Sequence, residues 1–213
     1  MYSKHLIPAI LLMTFTVVIL LLHALANQTE IPAIHSLYNP ADCPLSEGDI
    51  VFRKGHSLVS SLVLLNDRST DFSHVGIVCK LDGELYIIHA VPGEPDADGK
   101  EVVKCERPEA FFDPGKARNI AITTLTFASE TLRHKAAITA LDYFKRKVPF
   151  DGAMDFKTDD KLYCTELVWK AWLKAGINIT QNQFQLLKYS LVNDSIILPG
   201  HILHSPLVTQ IYP

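Results

Sequence analysis

Three side chains in this sequence combine the right chemistry with a suggestive setting: Cys164, His74 and His89. Cys164 lies in Leu162-Tyr163-Cys164-Thr165-Glu166-Leu167-Val168-Trp169, where an acidic stretch gives way to an amphipathic helix. A thiol in the first turn of a helix sits among unpaired backbone N–H groups and the positive end of the helix dipole, which favour the thiolate. The thiolate is the nucleophile of cysteine hydrolases, and it needs a base to manage protons. His74, in Phe72-Ser73-His74-Val75-Gly76-Ile77-Val78, offers one on a strand, and His89 ends the strand Leu85-Tyr86-Ile87-Ile88-His89. Each residue also has a plainer reading. Cys164 shares a helix side with Leu167, Val168, Ala171, Trp172 and Ala175, the setting of an inert core thiol. Each histidine could be a hydrogen-bonded strand residue among the nine in the chain.

The elements that must position these groups follow from periodicity. Gly48–Arg53 reads as a strand, Ser57–Leu65 as a short helix, and Ser73–Leu81 and Glu84–Val91 as a hairpin around Asp82-Gly83. That hairpin register brings His74 and His89 together, so a polar group meets the far ring nitrogen of His74 and sets its tautomer. On the same strand His74, Gly76 and Val78 face one way and Val75, Ile77 and Cys79 the other, and Gly76 suits a pocket with room for an approaching group. Glu101–Cys105 and Asn119–Thr124 are further strands. Ser129–Lys147 is a helix with Glu130 in its first turn, Lys145, Arg146 and Lys147 in its last, and Pro149 beyond. Leu132, Ala136, Ala140, Leu141 and Phe144 form its apolar stripe. Phe150–Lys161 carries Asp151, Asp155, Asp159 and Asp160 into the Cys164 helix, which stops at Gly176. A turn at Pro199-Gly200 and a last strand at Leu207–Tyr212 complete the chain.

The bulk numbers suit one folded domain: 213 residues, 48% hydrophobic and 20% charged, with a net charge of −3. No basic block stands out, so nothing points to nucleic acid. Residues 1–26 read as a signal peptide: Lys4 is their only Lys, Arg, Asp or Glu, Leu6–Leu22 is almost wholly apolar, and Ala24-Leu25-Ala26 fits a signal peptidase. Cleavage after Ala26 is the favoured reading and an uncleaved membrane anchor through residues 6–22 the other; both place the domain outside the cytoplasm, periplasmic or secreted. Residues 27–44, with Pro32, Pro40 and Pro44, form an irregular lead-in to a domain over 45–213. Cys43, Cys79, Cys105 and Cys164 form no zinc spacing. In an exported protein they invite a disulfide, with Cys79 and Cys105 the nearest candidates. No Gly-x-Ser-x-Gly and no His-Glu-x-x-His occurs. No metal and no cofactor is expected, since His74, His89 and Cys164 lack a fourth zinc ligand.

Taken in order, Gly48-Asp49-Ile50-Val51-Phe52, Ser73-His74-Val75-Gly76-Ile77-Val78, the Tyr86–Val91 strand and Leu162-Tyr163-Cys164-Thr165-Glu166-Leu167-Val168 resemble the YiiX/YebB-like group of permuted papain-fold cysteine hydrolases, relatives of the NlpC cell-wall peptidases. The acidic approach through Phe150-Asp151 and Asp159-Asp160 resembles that group too, and the likeness covers roughly Leu45 to Ser205. It implies an α+β, circularly permuted papain-like fold, in which an antiparallel sheet or half-barrel packs against the cysteine helix. It also implies Cys164 as nucleophile, His74 as base and His89 as orienting residue. The group often has a glutamate where this chain has His89, and a neutral histidine adds no fixed negative charge. The implied substrate is an amide in a small peptide or peptidoglycan fragment. A lipid ester or thioester is the alternative, by likeness to lecithin retinol acyltransferase, with Ile196, Ile197, Leu198, Ile202 and Leu203 as acyl-site candidates. A non-catalytic binding module that kept the pocket is the third reading, and contact with a membrane runs only through an uncleaved N-terminal segment.

Overall fold

A computed structural model describes residues 38–39, 43–154, 158–186 and 195–213 of the chain, all within the compact unit His35–Pro213. The signal-peptide or anchor reading, the cleavage after Ala26, most of the 27–44 lead-in, and Asp155 lie outside the described residues.

The alternation of apolar and small residues yields one six-stranded sheet. In chain order its strands are β1 (Ile50–Arg53), β2 (His74–Leu81), β3 (Glu84–His89), β4 (Lys104–Glu106), β5 (Ile120–Thr124) and, after two short strands, β8 (Thr209–Tyr212). They lie in the order β4-β3-β2-β1-β5-β8 with every neighbour antiparallel. The β2–β3 turn works because Asp82 (φ 53°) and Gly83 (φ 86°) both take the left-handed conformation that a two-residue hairpin turn needs.

Helices α1 (Leu58–Asn66), α2 (Pro108–Phe111), α3 (Glu130–Lys145), α4 (Cys164–Ala175) and α5 (Pro199–Leu203) surround the sheet. One face, with Ile50, Phe52, Val75, Ile77 and Cys79, buries Ala136, Ala140 and Leu141 of α3 and Leu167, Val168, Ala171 and Trp172 of α4. The other face, with Val51, Val78, Ile87 and Ile122, is covered by Phe111, Phe112, Cys43 and Leu45. Ser129 caps α3, its hydroxyl accepting from the N–H of Leu132. Gly176 ends α4 at φ 102°.

Several boundaries differ from expectation. Strand β4 is shorter and later than Glu101–Cys105, because Val102 bridges to Pro149 instead. Pro199-Gly200 opens α5 rather than making a turn, as Pro199 fills a first-turn position where no backbone N–H is missed. Pro108 does the same for α2, which the sequence pattern did not reveal. Neither did the two-stranded ladder of β6 (Gln185–Leu186) and β7 (Ser195–Ile196). The four cysteines are free thiols; strands β2 and β4, with Cys79 and Cys105, are separated by β3.

Candidate active site

The Cys164 helix is buried almost all round, wider than the single stripe expected, and polar contacts lock its start. The Thr165 hydroxyl donates to the Ile197 carbonyl at 2.6 Å, and the Ile197 N–H donates to the Tyr163 hydroxyl at 3.0 Å. The buried Glu166 carboxylate accepts from the Tyr163 N–H at 3.2 Å and pairs with Lys170 at 2.8 Å. Asp159 reaches Lys170 at 2.8 Å and Lys174 at 2.6 Å, and Lys170 also donates to the Thr158 carbonyl. The acidic approach to Cys164 thus ties the helix down from outside. Burial pushes the Glu166 carboxyl up to about 7, against the pull of Lys170.

His74 opens β2 and His89 ends β3, both buried, with His74 Nε2 and His89 Nδ1 2.8 Å apart. The hairpin register therefore does what the sequence implies. Gly76 serves this pair differently from expectation. A Cβ there would lie 2.6 Å from Ile87 Cγ2 and 3.3 Å from the Cβ of His89, so the space it leaves is filled by the facing strand and not by a ligand. Phe111 of α2 packs against both imidazoles, ring centroids 5.7 Å from His74 and 5.1 Å from His89.

Cys164 and His74 line the same cavity, about 360 Å³ in volume. Its walls divide by chemistry. Val59 and Val63 of α1 with Met154, Ile196, Ile197 and Leu198 form an apolar side, while Arg53, Glu94 and Lys116 form a charged one. Of the foreseen acyl-site residues, Ile196, Ile197 and Leu198 face this cavity, whereas Ile202 and Leu203 pack into the core.

Burial works against the thiolate that the helix dipole favours. Cys164 is only partly exposed. Burial pushes its thiol up to about 11, although the backbone N–H groups of Val75, Thr165 and Cys164 itself reach the sulfur. Burial holds His74 well below its ordinary value, and the nearby Arg53 cation pushes the same way. Both shifts work against a charged thiolate–imidazolium pair. Removing two charges from water outweighs a few amide dipoles.

Residues the sequence reading missed surround the histidines. Arg53, 2% exposed, donates to the Phe111 carbonyl at 3.1 Å and to Glu94 at 2.6 Å, and its guanidinium lies 4.8 Å from the centroid of the Phe111 ring. Glu106 on β4 approaches His89 Nε2 at 3.3 Å, within ion-pairing range but too bent for a straight hydrogen bond. Lys104 at 2.7 Å and Lys116 at 3.2 Å hold the same carboxylate. Burial alone would raise Glu106, but contact with His89 and Lys104 more than offsets it, so the group stays ionised. Arg53 had a detectable signal, since it ends β1 opposite His74 in the ladder. Glu106 had none, being joined to β3 only through the long 90–103 connection.

Among the described residues, no group of three or more His, Cys, Asp and Glu side chains is placed to hold a metal ion. None of their helices is long and apolar enough to cross a membrane.

The model of the family described as permuted papain-like amidase enzyme, YaeF/YiiX, C92 family, matches residues 44–212. The uncharacterized protein YiiX of Escherichia coli K12 is 27% identical over 138 residues, which make up 64% of this chain and 62% of that protein. The chain thus aligns with under two thirds of that relative's length. A crystal structure described as metalloprotein yiiX, from Escherichia coli O157:H7, shares the fold, with a TM-score of 0.65 and 22% identity over 79% of this chain and 98% of that one.

Proposed function

The chain belongs to the permuted papain-like amidases of the YaeF/YiiX, C92 family, and from that premise we propose that it hydrolyses an amide through Cys164 and His74, with His89 orienting the base. The observation that carries this reading is the buried 2.8 Å His74–His89 contact beside a cavity that Cys164 also lines. With Nε2 engaged by His89, Nδ1 of His74 is the nitrogen left to take the thiol proton. The sulfur then bonds to the carbonyl carbon, giving a tetrahedral oxyanion to which the Cys164 N–H can donate. The protonated His74 passes its proton to the leaving amine as the C–N bond breaks. Water, deprotonated by His74, attacks the thioester, releases the acid and returns the proton to the sulfur. Burial raises the thiol and lowers His74, which favours proton transfer together with attack over a preformed charged pair.

His74 Nε2 and His89 Nδ1 point at each other at 2.8 Å, which leaves that pair of nitrogens engaged with one another. The family name favours an amide, and a small peptide or peptidoglycan fragment is the substrate that the likeness to the NlpC cell-wall peptidases implies. The apolar wall of Val59, Val63, Ile196, Ile197 and Leu198 favours a second reading, in which the acyl side is a hydrocarbon chain held as an amide, ester or thioester. The apolar run Leu6–Leu22 followed by Ala24-Leu25-Ala26 supports export, to the periplasm or beyond.

The test is incubation with muropeptides, acylated amines and acyl esters, with mass spectrometry of the Cys164 peptide. An acyl adduct on Cys164 is expected with one class, and none in Cys164→Ala, which should keep its melting temperature and lose turnover. A fully active Cys164→Ala would end the mechanism.

A further inference from the structure

The mechanism above leaves Glu106 unused, although this half-buried carboxylate touches the far nitrogen of His89. We propose that Glu106 is a positioning residue that acts through two imidazole rings to set the protonation of His74. The inference rests on the Cys164–His74 reading and extends it outward by one residue.

The chain of contacts is linear: His74 Nε2 to His89 Nδ1 at 2.8 Å, then His89 Nε2 to Glu106 Oε2 at 3.3 Å. An ionised carboxylate can only accept, and its charge beside His89 Nε2 favours the tautomer with the proton on that nitrogen. His89 Nδ1 is then a bare acceptor, and His74 Nε2 must carry the proton that bridges the rings. His74 Nδ1 is thereby left bare, the form a general base requires. With the opposite tautomer of His89, the proton would be driven onto His74 Nδ1 and the base would be blocked. The same carboxylate also supplies the negative charge that His89 lacks once His74 becomes an imidazolium.

A plainer role is available to Glu106, as the anion that holds Lys104 and Lys116. That role predicts a loss of stability and no change in how Cys164 responds to pH. The two are separated by measuring iodoacetamide labelling of Cys164 in the full chain from pH 5 to 9, by peptide mass spectrometry, alongside melting temperature. Glu106→Gln keeps shape and drops charge. It should slow Cys164 labelling at pH 7 by about tenfold, the low end for loss of an outer partner of a working histidine, and move the acid limb of the profile to lower pH, because a His74 imidazolium without that carboxylate forms less readily. His89→Glu sets a carboxylate directly against His74 but also against Glu106, so it should be slow on its own. The double variant His89→Glu/Glu106→Gln should label faster than His89→Glu.

Unchanged labelling of Glu106→Gln across the range would overturn the proposal, as would a double variant slower than either single. Should His89→Glu fail to fold, the Glu106→Gln profile decides alone. His74→Ala separates the layers. If it slows labelling while Glu106→Gln does not, only the role of Glu106 falls; if it too labels like the parent, the Cys164–His74 reading falls with it.

Discussion

Proton occupancy decides what Cys164 can do. A helix N-terminus stabilises a thiolate, but its partial charges act over one turn and are worth about 1 kcal/mol, whereas desolvating sulfur and imidazole together costs several times that. Burial thus weighs against the charged pair, and the pH dependence belongs to the base. His74 must be unprotonated to work, and burial together with Arg53 holds its value below 6.5. Activity should accordingly hold nearly level from pH 7.5 to 6 and fall only on further acidification. A kcat/KM profile with its acid limb above pH 7 would contradict this assignment. At the alkaline end the thiol titrates late, so no fall traceable to Cys164 is expected below pH 9.

At the scale of elements, the β2–β3 hairpin is the device that joins two imidazoles, and its fit is close. Gly76 faces Ile87 and His89 across the ladder with no space for a methyl group. Gly76→Ala should force Ile87 or the strand itself to move, costing about 1–3 kcal/mol as overpacking does. It should also widen the 2.8 Å His74–His89 contact and lower kcat with it. Thermal melting and kcat measured together check both halves; a variant with parental stability and activity would show that the facing strand yields freely. Helix α4 is the second device. Its start is pinned by Tyr163 and Thr165 to Ile197, a residue that also lines the cavity, so the nucleophile and the apolar wall are built as one unit.

Over the whole molecule, two neutral histidines in the interior make folding depend on pH. Their folded values lie below the ordinary 6.5, so the unfolded chain takes protons first as pH falls through that point. Their contribution to stability is complete above about pH 6.5 and is lost below it. Glu166 acts oppositely: held up at about 7, it is protonated in the folded state before the unfolded chain binds that proton, and so favours the fold below that pH. Two histidines against one glutamate predict a melting temperature that drops between pH 7 and pH 5. A rise over that interval would mean that Glu166 dominates.

How much of this was written in the sequence depends on the distance over which each feature acts. The strands around His74 and His89, their shared register and the helix starting at Cys164 were legible, because alternation, a two-residue Asp-Gly turn and a helix stop at Gly176 are local signals. So was the order of motifs that resembles a permuted papain fold. Glu106 and Phe111 were not, since each reaches the site through pairing across long stretches of chain that no local pattern encodes. The burial that works against the Cys164 thiolate was not legible for the same reason. Local sequence shows the dipole of its own helix, but desolvation is set by everything packed around the sulfur, and only the folded chain decides that.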